Sequence, residues 1–342
     1  MGERRLSTAR KIALSVLLCL PAALLQAQPL QPAPAGDVIG VGNFGHIVTS
    51  LDRSLEFYQG ALGLEPSFAA RPFDPNPSVM KMGNTIGAQS RIVVLKVPGS
   101  AMGVELIEYK DIDRQPAHPR FQDPGAANLA MRVRDLDPVV ARVKSAGGHV
   151  LTVSGEPAKI GGNARILFVQ DPDGFIVELA QPSTVPATAP AGNVIGGGFE
   201  VAADNLEKTA EFYRLLDMQA SAPAAFNGDK VMTDTAGTPG AQFRQSRAPI
   251  PGTNAVVTFI EFRDIDRKPL HTRLQDPGTA LLQLTVRDVD ALLARIKAGG
   301  GTVVSAGGEP VPIPNVGKIA IVRDPNNLFL ELVERQARPQ SK

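Results

Sequence analysis

The hydrophobic and polar positions of one short stretch, RILFVQDPDGFIVEL, predict two β-strands joined by a tight turn. Two apolar runs flank Asp171–Gly174, in which proline presets φ and glycine accepts a positive φ. Glu178 interrupts the second run between Val177 and Leu179, where burial would disfavour a carboxylate. The later stretch KIAIVRDPNNLFLEL places Glu331 at the same point. Each of these strands therefore needs a polar surrounding for its acid.

Apolar stripes at helical spacing occur twice in the first half of the chain. Leu51, Leu55, Tyr58 and Leu62 form the first stripe, which ends at Gly63. A second stripe follows Asp135, which is placed to cap it: Leu136, Val139, Val140 and Val143. Strands precede and follow each helix, and the second half matches with helices near Leu206–Leu216 and Val289–Gly299. The pattern predicts an α+β chain of four βαβββ units.

The chain repeats itself. The stretch IEYKDIDRQPAHPRFQDPGAANLAMRVRD, from Ile107, recurs from Ile260 with 18 of 29 positions identical, which indicates a tandem duplication. The predicted boundaries are residues 37–181 for the first domain, 182–193 for a Pro-rich linker, 194–335 for the second domain and 336–342 for a tail.

Residues 1–27 read as a secretory signal peptide. Basic residues precede an apolar run, Ile12–Leu25, that is too short to span a bilayer comfortably. We expect cleavage between Ala27 and Gln28, a linker over 28–36, and a periplasmic or secreted protein with no stable membrane insertion. An uncleaved N-terminal anchor is the alternative. The only cysteine, Cys19, lies in this leader, so the mature chain would carry no thiol nucleophile.

Charge and composition limit the classes of molecule that the protein is expected to bind. Thirty-five basic and 34 acidic residues nearly balance, and there is no Trp, so no nucleic-acid partner is expected. G-x-S-x-G and P-loop motifs are absent from the sequence. A small-molecule ligand is the expected partner, and a monomer or weak dimer is expected because the duplication supplies pairing within one chain.

Several stretches carry a family resemblance: LDRSLEFYQGALGLE, VRDLDPVVARVKSAGG and ILFVQDPDGFIVEL, with their counterparts in the second half. They resemble the vicinal oxygen chelate superfamily, which includes lactoylglutathione lyase (glyoxalase I), bleomycin-resistance proteins and extradiol dioxygenases. The resemblance covers nearly the whole mature chain. It implies four βαβββ units paired into two glyoxalase-like domains with cupped mixed sheets.

The resemblance also implies a site inside each cup. Metal-dependent members hold four ligands there, two on the first strands of paired units and two glutamates on their last strands. Carried over to the first half, these positions are Asn43, Glu105, Asn128 and Glu178. In the second half they are Gly198, Thr258, Leu281 and Glu331.

This donor set bears on the cofactor. Glu105 and Glu178 are the candidate metal ligands, whereas Asn43 and Asn128 are weak neutral ligands suited to a loosely held hard ion. The expectation is at most one divalent metal, in the first domain, and no certain cofactor. Glu331 is the one strong candidate ligand in the second half; its alternative role, and that of Glu178, is an ancestral acid hydrogen-bonded inside the cup.

Other polar residues are candidates for ligand binding. His118 and His271 recur in the repeated motif D-I-D-R-x-P-x-H-x-R-x-Q-D-P-G, and Arg91 and Arg244 recur in matched strands. The histidines and the arginines of the motif could orient an anionic or carbonyl ligand, or the motif could fix one unit against the next through Asp–Arg pairs. Arg91 and Arg244 could face a ligand carboxylate or solvent. His46 could join the site only if its strand carries a bulge.

The resulting functional hypothesis is an exported protein that binds a small molecule in a cupped sheet, without a tightly held transition metal. Asn43, Asn128 and Glu331 would be polar pocket groups, and Glu178 the catalytic candidate that moves a proton. The alternative is a divalent-metal-dependent lyase or isomerase, or a dioxygenase-like enzyme, acting on vicinal oxygens. A mainly structural duplication with one degenerate domain is a third possibility.

Overall fold

The computed structural model describes residues 36–336, so the expected signal peptide, most of the 28–36 linker and the C-terminal tail lie outside the described residues. Within that range the chain is α+β, as predicted. None of the helices in this range is long and apolar enough to cross a bilayer.

Each half contains two βαβββ units, with short additional strands and helices. The first half comprises β1 (Val38–Val48), α1 (Leu51–Leu55), β2 (Glu65–Pro66), α2 (Pro77–Gly83), β3 (Gln89–Lys96), β4 (Gly103–Lys110), β5 (Ala127–Val133), α3 (Asp137–Ser145), β6 (His149–Val150), β7 (Ala158–Gly161), β8 (Ala164–Gln170) and β9 (Ile176–Gln181). A π-helical turn, Glu56–Ala61, continues α1.

The second half repeats this order, except that no strand corresponds to β2 among its described residues. It comprises β10 (Val194–Ala203), α4 (Leu206–Leu215), α5 (Lys230–Thr235), β11 (Gln242–Pro249), β12 (Val256–Arg263), β13 (Ala280–Val286), α6 (Val289–Ala298), β14 (Thr302–Val303), β15 (Val311–Ile313), β16 (Gly317–Arg323) and β17 (Phe329–Arg335). A 3₁₀ turn, Ala306–Gly308, precedes β15.

Side-chain caps begin several of the helices. Ser50 caps α1, Asn205 caps α4 and Asp288 caps α6, each by accepting a backbone N–H three residues later. Asp135 does not cap α3 in this way, because the helix begins at Asp137. Asp135 instead accepts a hydrogen bond from the Asp137 N–H at 3.2 Å, in the turn before the helix.

The units pair between the halves. Sheet I has the order β14-β16-β17-β13-β1-β4-β3-β2, with β15 beside β16, and sheet II has the order β11-β12-β10-β5-β9-β8-β6, with β7 beside β8. The antiparallel pairs β1·β13 and β10·β5 join each first unit to a second unit of the other half. The expectation that each cup is built within one half is therefore wrong.

Sequence similarity explains why the pairing could not be deduced. The two second units are near copies, so either one offers the first units a compatible strand edge. The segments that link the two units of each half stabilise this pairing between the halves. Each segment forms an Arg–Asp pair with the equivalent segment of the other half. Arg120 donates to Asp266 at 3.0 Å, and Arg273 donates to Asp113 at 2.9 Å. These Asp–Arg pairs match the structural role that the sequence allowed for the repeated motif.

The two faces of each sheet differ. One face packs against the helices in a core shared by both sheets, where Phe44 of β1 and Phe199 of β10 lie with ring centroids 4.5 Å apart. The opposite face forms the cup. We call these surfaces cup I and cup II, after their sheets. Strand alternation sends Val177 and Leu179 to the core and Glu178 to cup II.

Candidate functional site

Cup II contains a row of polar residues from four adjacent strands. Arg247 of β11 lies opposite Thr258 of β12, which lies opposite Glu200 of β10, and Glu200 lies opposite Asn128 of β5. Glu178 of β9 lies one step along, opposite Ala130 of β5. Strands from both halves therefore build this polar cluster.

A hydrogen-bond network links the acids of cup II. Asn128 Nδ2 donates to Glu200 Oε2 at 2.9 Å. Burial, followed by the charge of Glu200 and a hydrogen bond to it, raises the pKa of Glu178 well above its usual range. The pKa of Glu200 is also raised by burial, but hydrogen bonds from Asn128 and Glu178 and the charge of Arg247 oppose the shift. The two carboxyl groups therefore share a hydrogen bond, which requires that one of them holds the proton.

One polar atom of the Asn128 side chain makes no hydrogen bond to the described residues. Its side chain is almost fully buried, at 1% exposure, and its Oδ1 has no hydrogen-bond partner among the described residues. An unpaired buried amide oxygen costs about 1–3 kcal/mol. A ligand or a water molecule that donates a hydrogen bond would remove this cost, so the cluster is chemically incomplete.

Apolar side chains and open space adjoin the cluster. Phe121 lies 5.0 Å from Phe168 and 5.4 Å from Phe262, measured between ring centroids. Gly198 leaves open space, because a Cβ placed there would meet no atom within 4 Å. Cup II thus combines an aromatic wall, a vacant floor position and polar groups, as small-molecule sites do.

Cup I also holds two acids, each paired with an amide. Gln283 Nε2 donates to Glu331 Oε1 at 3.1 Å, and Asn43 hydrogen-bonds to Glu105. Burial raises the pKa of both acids, and the charge of Glu105 helps to raise the pKa of Glu331 to about 8. Tyr109 lies near both carboxyls, and burial raises the pKa of its hydroxyl.

The centre of cup I is filled by its own side chains. A Cβ at Gly45 would lie 2.5 Å from Leu281 Cγ, so Leu281 occupies the space over that glycine. Leu281 also belongs to a buried apolar cluster with Met80 of α2, Ile107 and Tyr109. The acids of cup I therefore border a packed apolar interior.

A comparison with known families decides the relationship. A model described as the Glyoxalase/Bleomycin resistance protein/Dioxygenase superfamily matches residues 40–179 and 197–332. The chain belongs to this superfamily. The recognised resemblance is thereby confirmed, together with the arrangement of two glyoxalase-like domains.

Named relatives agree with the superfamily assignment. Lactoylglutathione lyase of Haemophilus influenzae is 28% identical over 134 residues, which cover 39% of this chain and 86% of that protein. The crystal structure of glyoxalase I from Zea mays superposes with a TM-score of 0.58 at 18% identity, covering 86% of this chain and 92% of that one. The structural likeness shows the shared fold.

Within this glyoxalase-superfamily fold, the candidate ligands separate into two sets. Glu105 lies in cup I and Glu178 in cup II, so the two expected metal ligands do not meet. Asn43 lies beside Glu105, whereas Asn128 belongs with Glu178. The four-residue site expected within the first half is therefore wrong, because the sheets are built across the halves.

The register of the first strands corrects two further positions. Gly45, rather than Asn43, lies opposite Glu105, and Glu200, rather than Gly198, lies opposite Thr258. Asn43 lies at a register shift in the pairing of β1 with β13, between Val41 and Phe44. Side chains alternate between the faces of a strand, so residues two positions apart share a face. Asn43 and Gly198 were therefore predicted on the correct face of their strands, the face of the cup.

Sequence reasoning missed several polar residues of the cups, among them Glu200, Gln283, Arg247 and Arg132. Glu200 carried a detectable signal, since it is an acid in an apolar strand, as Glu178 is. Gln283 and Arg247 lie in strands of mixed polarity, where alternation alone does not show which face is the cup.

The candidate arginines are paired within the protein. Arg91 donates to Glu108 at 2.8 Å and to Asp52 at 2.9 Å. Arg244 likewise donates to Glu261 at 2.7 Å and to Glu207, and these contacts lie on the helix face of the sheet. The structure thus gives both guanidinium groups carboxylate partners from the chain itself.

The histidines lie away from both cups. His118 and His271 are exposed on the segments between units, and the structure does not bring them to either acid pair. His46 is fully buried on the core face, where its Nε2 lies 2.9 Å from Asp171 Oδ2. Tyr58 donates to the same carboxylate oxygen at 3.0 Å, so His46 belongs to a buried structural cluster.

The donor sets of the two cups do not fit a transition metal. Zinc and ferrous iron favour imidazole or thiolate ligands, and neither cup presents a histidine or cysteine within residues 36–336. In cup II, Asn128 turns its NH₂ group toward Glu200, which also shares a hydrogen bond with Glu178. Carboxyl and amide oxygens alone suit a hard ion such as Mg²⁺.

A separate acidic group lies at the start of α6, where Asp288, Asp290 and Glu334 have oxygens within 4.8 Å of one another. Asp288 caps Ala291, Glu334 accepts from the Val289 N–H, and Lys318 pairs with Asp290. Helix capping and this ion pair account for the cluster without an ion.

Proposed function

We propose that this protein binds a small molecule in cup II, without a tightly held transition metal. The observation that supports the proposal is Asn128, a buried amide whose Oδ1 lacks a partner among the described residues beside the Glu178–Glu200 pair. Such an atom is an unmet acceptor that a bound molecule can satisfy.

The cluster offers complementary groups to a ligand. Asn128 Oδ1 can accept a hydrogen bond, and the Glu178–Glu200 pair offers carboxyl oxygens that accept and a proton that can be donated. Phe121, Phe168 and Phe262 supply apolar contact. This combination fits a compact molecule that carries at least one hydroxyl or N–H group.

A second candidate function is enzymatic: a lyase or isomerase, or a dioxygenase-like activity, on a substrate with vicinal oxygens. The hydrogen-bonded pair favours it, because one of its carboxyl groups can act as a general acid while the other acts as a base. The relative from Haemophilus influenzae is named a lactoylglutathione lyase. A divalent ion held by carboxylate oxygens would polarise the substrate oxygens.

The proposed export rests on the N-terminal sequence. Basic residues followed by a short apolar run support a signal peptide over residues 1–27 and a periplasmic or secreted mature chain. N-terminal sequencing of protein recovered from the periplasm and medium of an expressing bacterial culture tests this. A mature terminus near Gln28 is expected, and an intact terminus on membrane-bound protein would contradict it.

Metal content and thermal shift test the proposed function together. Untagged mature protein would be analysed by elemental mass spectrometry, then melted with Mn²⁺, Mg²⁺, Fe²⁺, Zn²⁺ and Ni²⁺ and with a library of small polar molecules. We expect library compounds to raise the Tm of the wild type and to lose that effect in Glu178→Ala. Near-stoichiometric metal that disappears in Glu178→Ala would overturn the metal-free binding proposal and favour the enzyme.

A further inference from the structure

The two cups are related by the internal duplication, so each position in one cup has an equivalent in the other. Gly198 and Ala130 of cup II correspond to Asn43 and Gln283 of cup I. Two amide side chains of cup I are thus replaced by a hydrogen atom and a methyl group in cup II. The open space at Gly198 follows directly from this difference.

The charge of the two cups also differs. Arg247 and Arg132 of cup II correspond to Val94 and Thr285 of cup I. Arg247 is half-buried, directly opposite Thr258 on the cup face. Arg132 lies on the same face opposite Gly196, where a Cβ would lie 2.8 Å from its Nε. Cup II has therefore gained two cations where cup I has neutral side chains.

These two arginines are unlike the structural arginines of the fold. Arg91, Arg120, Arg244 and Arg273 all bond carboxylates of the protein. Within the described part of the chain, neither Arg247 nor Arg132 forms an ion pair, and Arg247 acts on Glu200 only at longer range. Arg132 is exposed, whereas Arg247 is half-buried and has no direct anionic partner among the described residues, so its guanidinium is suited to a carboxylate from outside the protein.

We propose that cup II binds one small organic acid per chain, with its carboxylate on Arg247 and a hydroxyl or N–H group on Asn128 Oδ1, and that cup I binds none. This assignment rests on the proposed binding function and names its ligand class. Arg247 and Asn128 are three strands apart, about 14 Å along the sheet. Their side chains and that of Glu200 occupy part of this span, so an acid of a few carbon atoms fits between them.

The balance of charge supports a monoanion. When the Glu178–Glu200 pair holds a single proton it carries one negative charge, and Arg247 and Arg132 carry two positive charges. One ligand carboxylate makes the cup neutral. In cup I the acids face Leu281, Asn43 and Gln283, which leave no such space, and the positions equivalent to Arg247 and Arg132 carry no cation.

Thermal shift and NMR titration of the full mature chain test this with defined probes. Glycolate carries both a carboxylate and a hydroxyl, acetate lacks the hydroxyl, ethylene glycol lacks the carboxylate, and inorganic phosphate is a competing anion. We expect glycolate to bind more tightly than acetate or phosphate, and ethylene glycol not to bind. Phosphate binding as tight as glycolate, lost in Arg247→Leu, would overturn the assignment to organic acids.

Variants separate this proposal from the proposed function. Arg247→Leu is expected to weaken glycolate binding at least tenfold, Arg247→Lys less, and Gly198→Leu to abolish it by filling the open space. Arg335→Leu, an exposed arginine that acts on Glu331 of cup I, is the matched control and should change nothing. Circular dichroism would establish that each variant folds.

The outcomes point to different failures. If neutral compounds bind, are excluded by Gly198→Leu and are unaffected by Arg247→Leu, the organic-acid assignment is wrong and binding in cup II stands. If the Gly198→Leu variant binds every compound as tightly as the wild type does, the proposal that ligands bind in cup II is itself wrong.

Discussion

Glu178 stands in an apolar strand because it faces a cup and shares its proton with Glu200. Val177 and Leu179 on either side are fully buried in the core, and Glu178 is itself only 5% exposed. A lone charged acid at that depth would be costly. Protonation removes its charge, and the hydrogen bond to Glu200 gives the proton an acceptor.

The second acid of this kind, Glu331, makes a testable contribution to stability. Its pKa is about 8 in the folded protein, mainly because of burial, against about 4.3 in an unfolded chain. Between these values the folded state holds a proton that the unfolded state has released. Stability therefore falls as pH rises, by up to about 1.4 kcal/mol per pH unit.

Glu331→Gln should remove much of this slope. The glutamine keeps an oxygen to accept from Gln283 but does not titrate. Urea unfolding at pH 5, 6, 7 and 8 should show a flatter profile for the variant, with its gain over wild type largest at pH 8. Glu65→Gln, an exposed acid of β2, is the control. If the free energy of unfolding of Glu331→Gln falls with pH as steeply as that of the wild type, Glu331 is not a protonated, neutral acid in the folded protein.

At the level of elements, sequence periodicity predicted α1, α3, α4 and α6, whereas the short helices α2 and α5 were not predicted. The stripe from Leu51 to Leu62 became α1 and its π-helical continuation, and the Asp171–Gly174 turn joins β8 and β9. The first strands were placed on the correct face but two residues off in register. The irregular pairing of β1 at Asn43 is a tertiary feature that alternation cannot reveal.

Arg244 has a structural role at the start of α4 that its recurrence in the repeat did not reveal. Glu261 accepts from the Leu206 N–H at 3.0 Å at the start of α4, and Arg244 holds that carboxylate. Glu108 and Arg91 do the same for Leu51 and α1. Their recurrence in both halves follows from helix capping, which both halves need.

Arg244→Leu should therefore destabilise the protein without abolishing ligand binding. We expect a loss of about 1.5–3 kcal/mol in the free energy of unfolding, because a hydrogen-bonded, largely buried carboxylate loses its partner. Arg263→Leu, an exposed arginine bonded to Gln242, should change stability by less than about 0.5 kcal/mol. Loss of glycolate binding in a folded Arg244→Leu protein would restore the ligand-contact interpretation.

At the scale of the whole molecule, the duplication and the fold class were predictable, whereas the pairing of units was not. The repeat from Ile107 to Ile260 specifies equivalent units but contains no information on which copies pair. The choice depends on contacts between distant segments, such as Gln115 N–H to Asp276 and Lys268 N–H to Asp123, both at 2.8 Å. The residues that line each cup therefore depend on which units pair, and the sequence alone did not reveal them.

Exchange between the halves predicts that neither half is stable alone as a monomer. A chain of residues 28–185 would expose the edges of β1 and β5 that normally pair with β13 and β10. Light scattering should find it as a dimer or aggregate, and co-expression with residues 186–342 should restore a one-to-one complex. A folded monomer of the first half would contradict the exchanged pairing.

The most direct test of the account is a crystal structure of residues 28–342 with glycolate, or with the library compound that gives the largest thermal shift. The account predicts one ligand per chain in cup II, within hydrogen-bond distance of Asn128 Oδ1 and in contact with Arg247, over a sheet in which β10 pairs with β5. Ligand density in cup I, or a metal ion on Glu178, would contradict it.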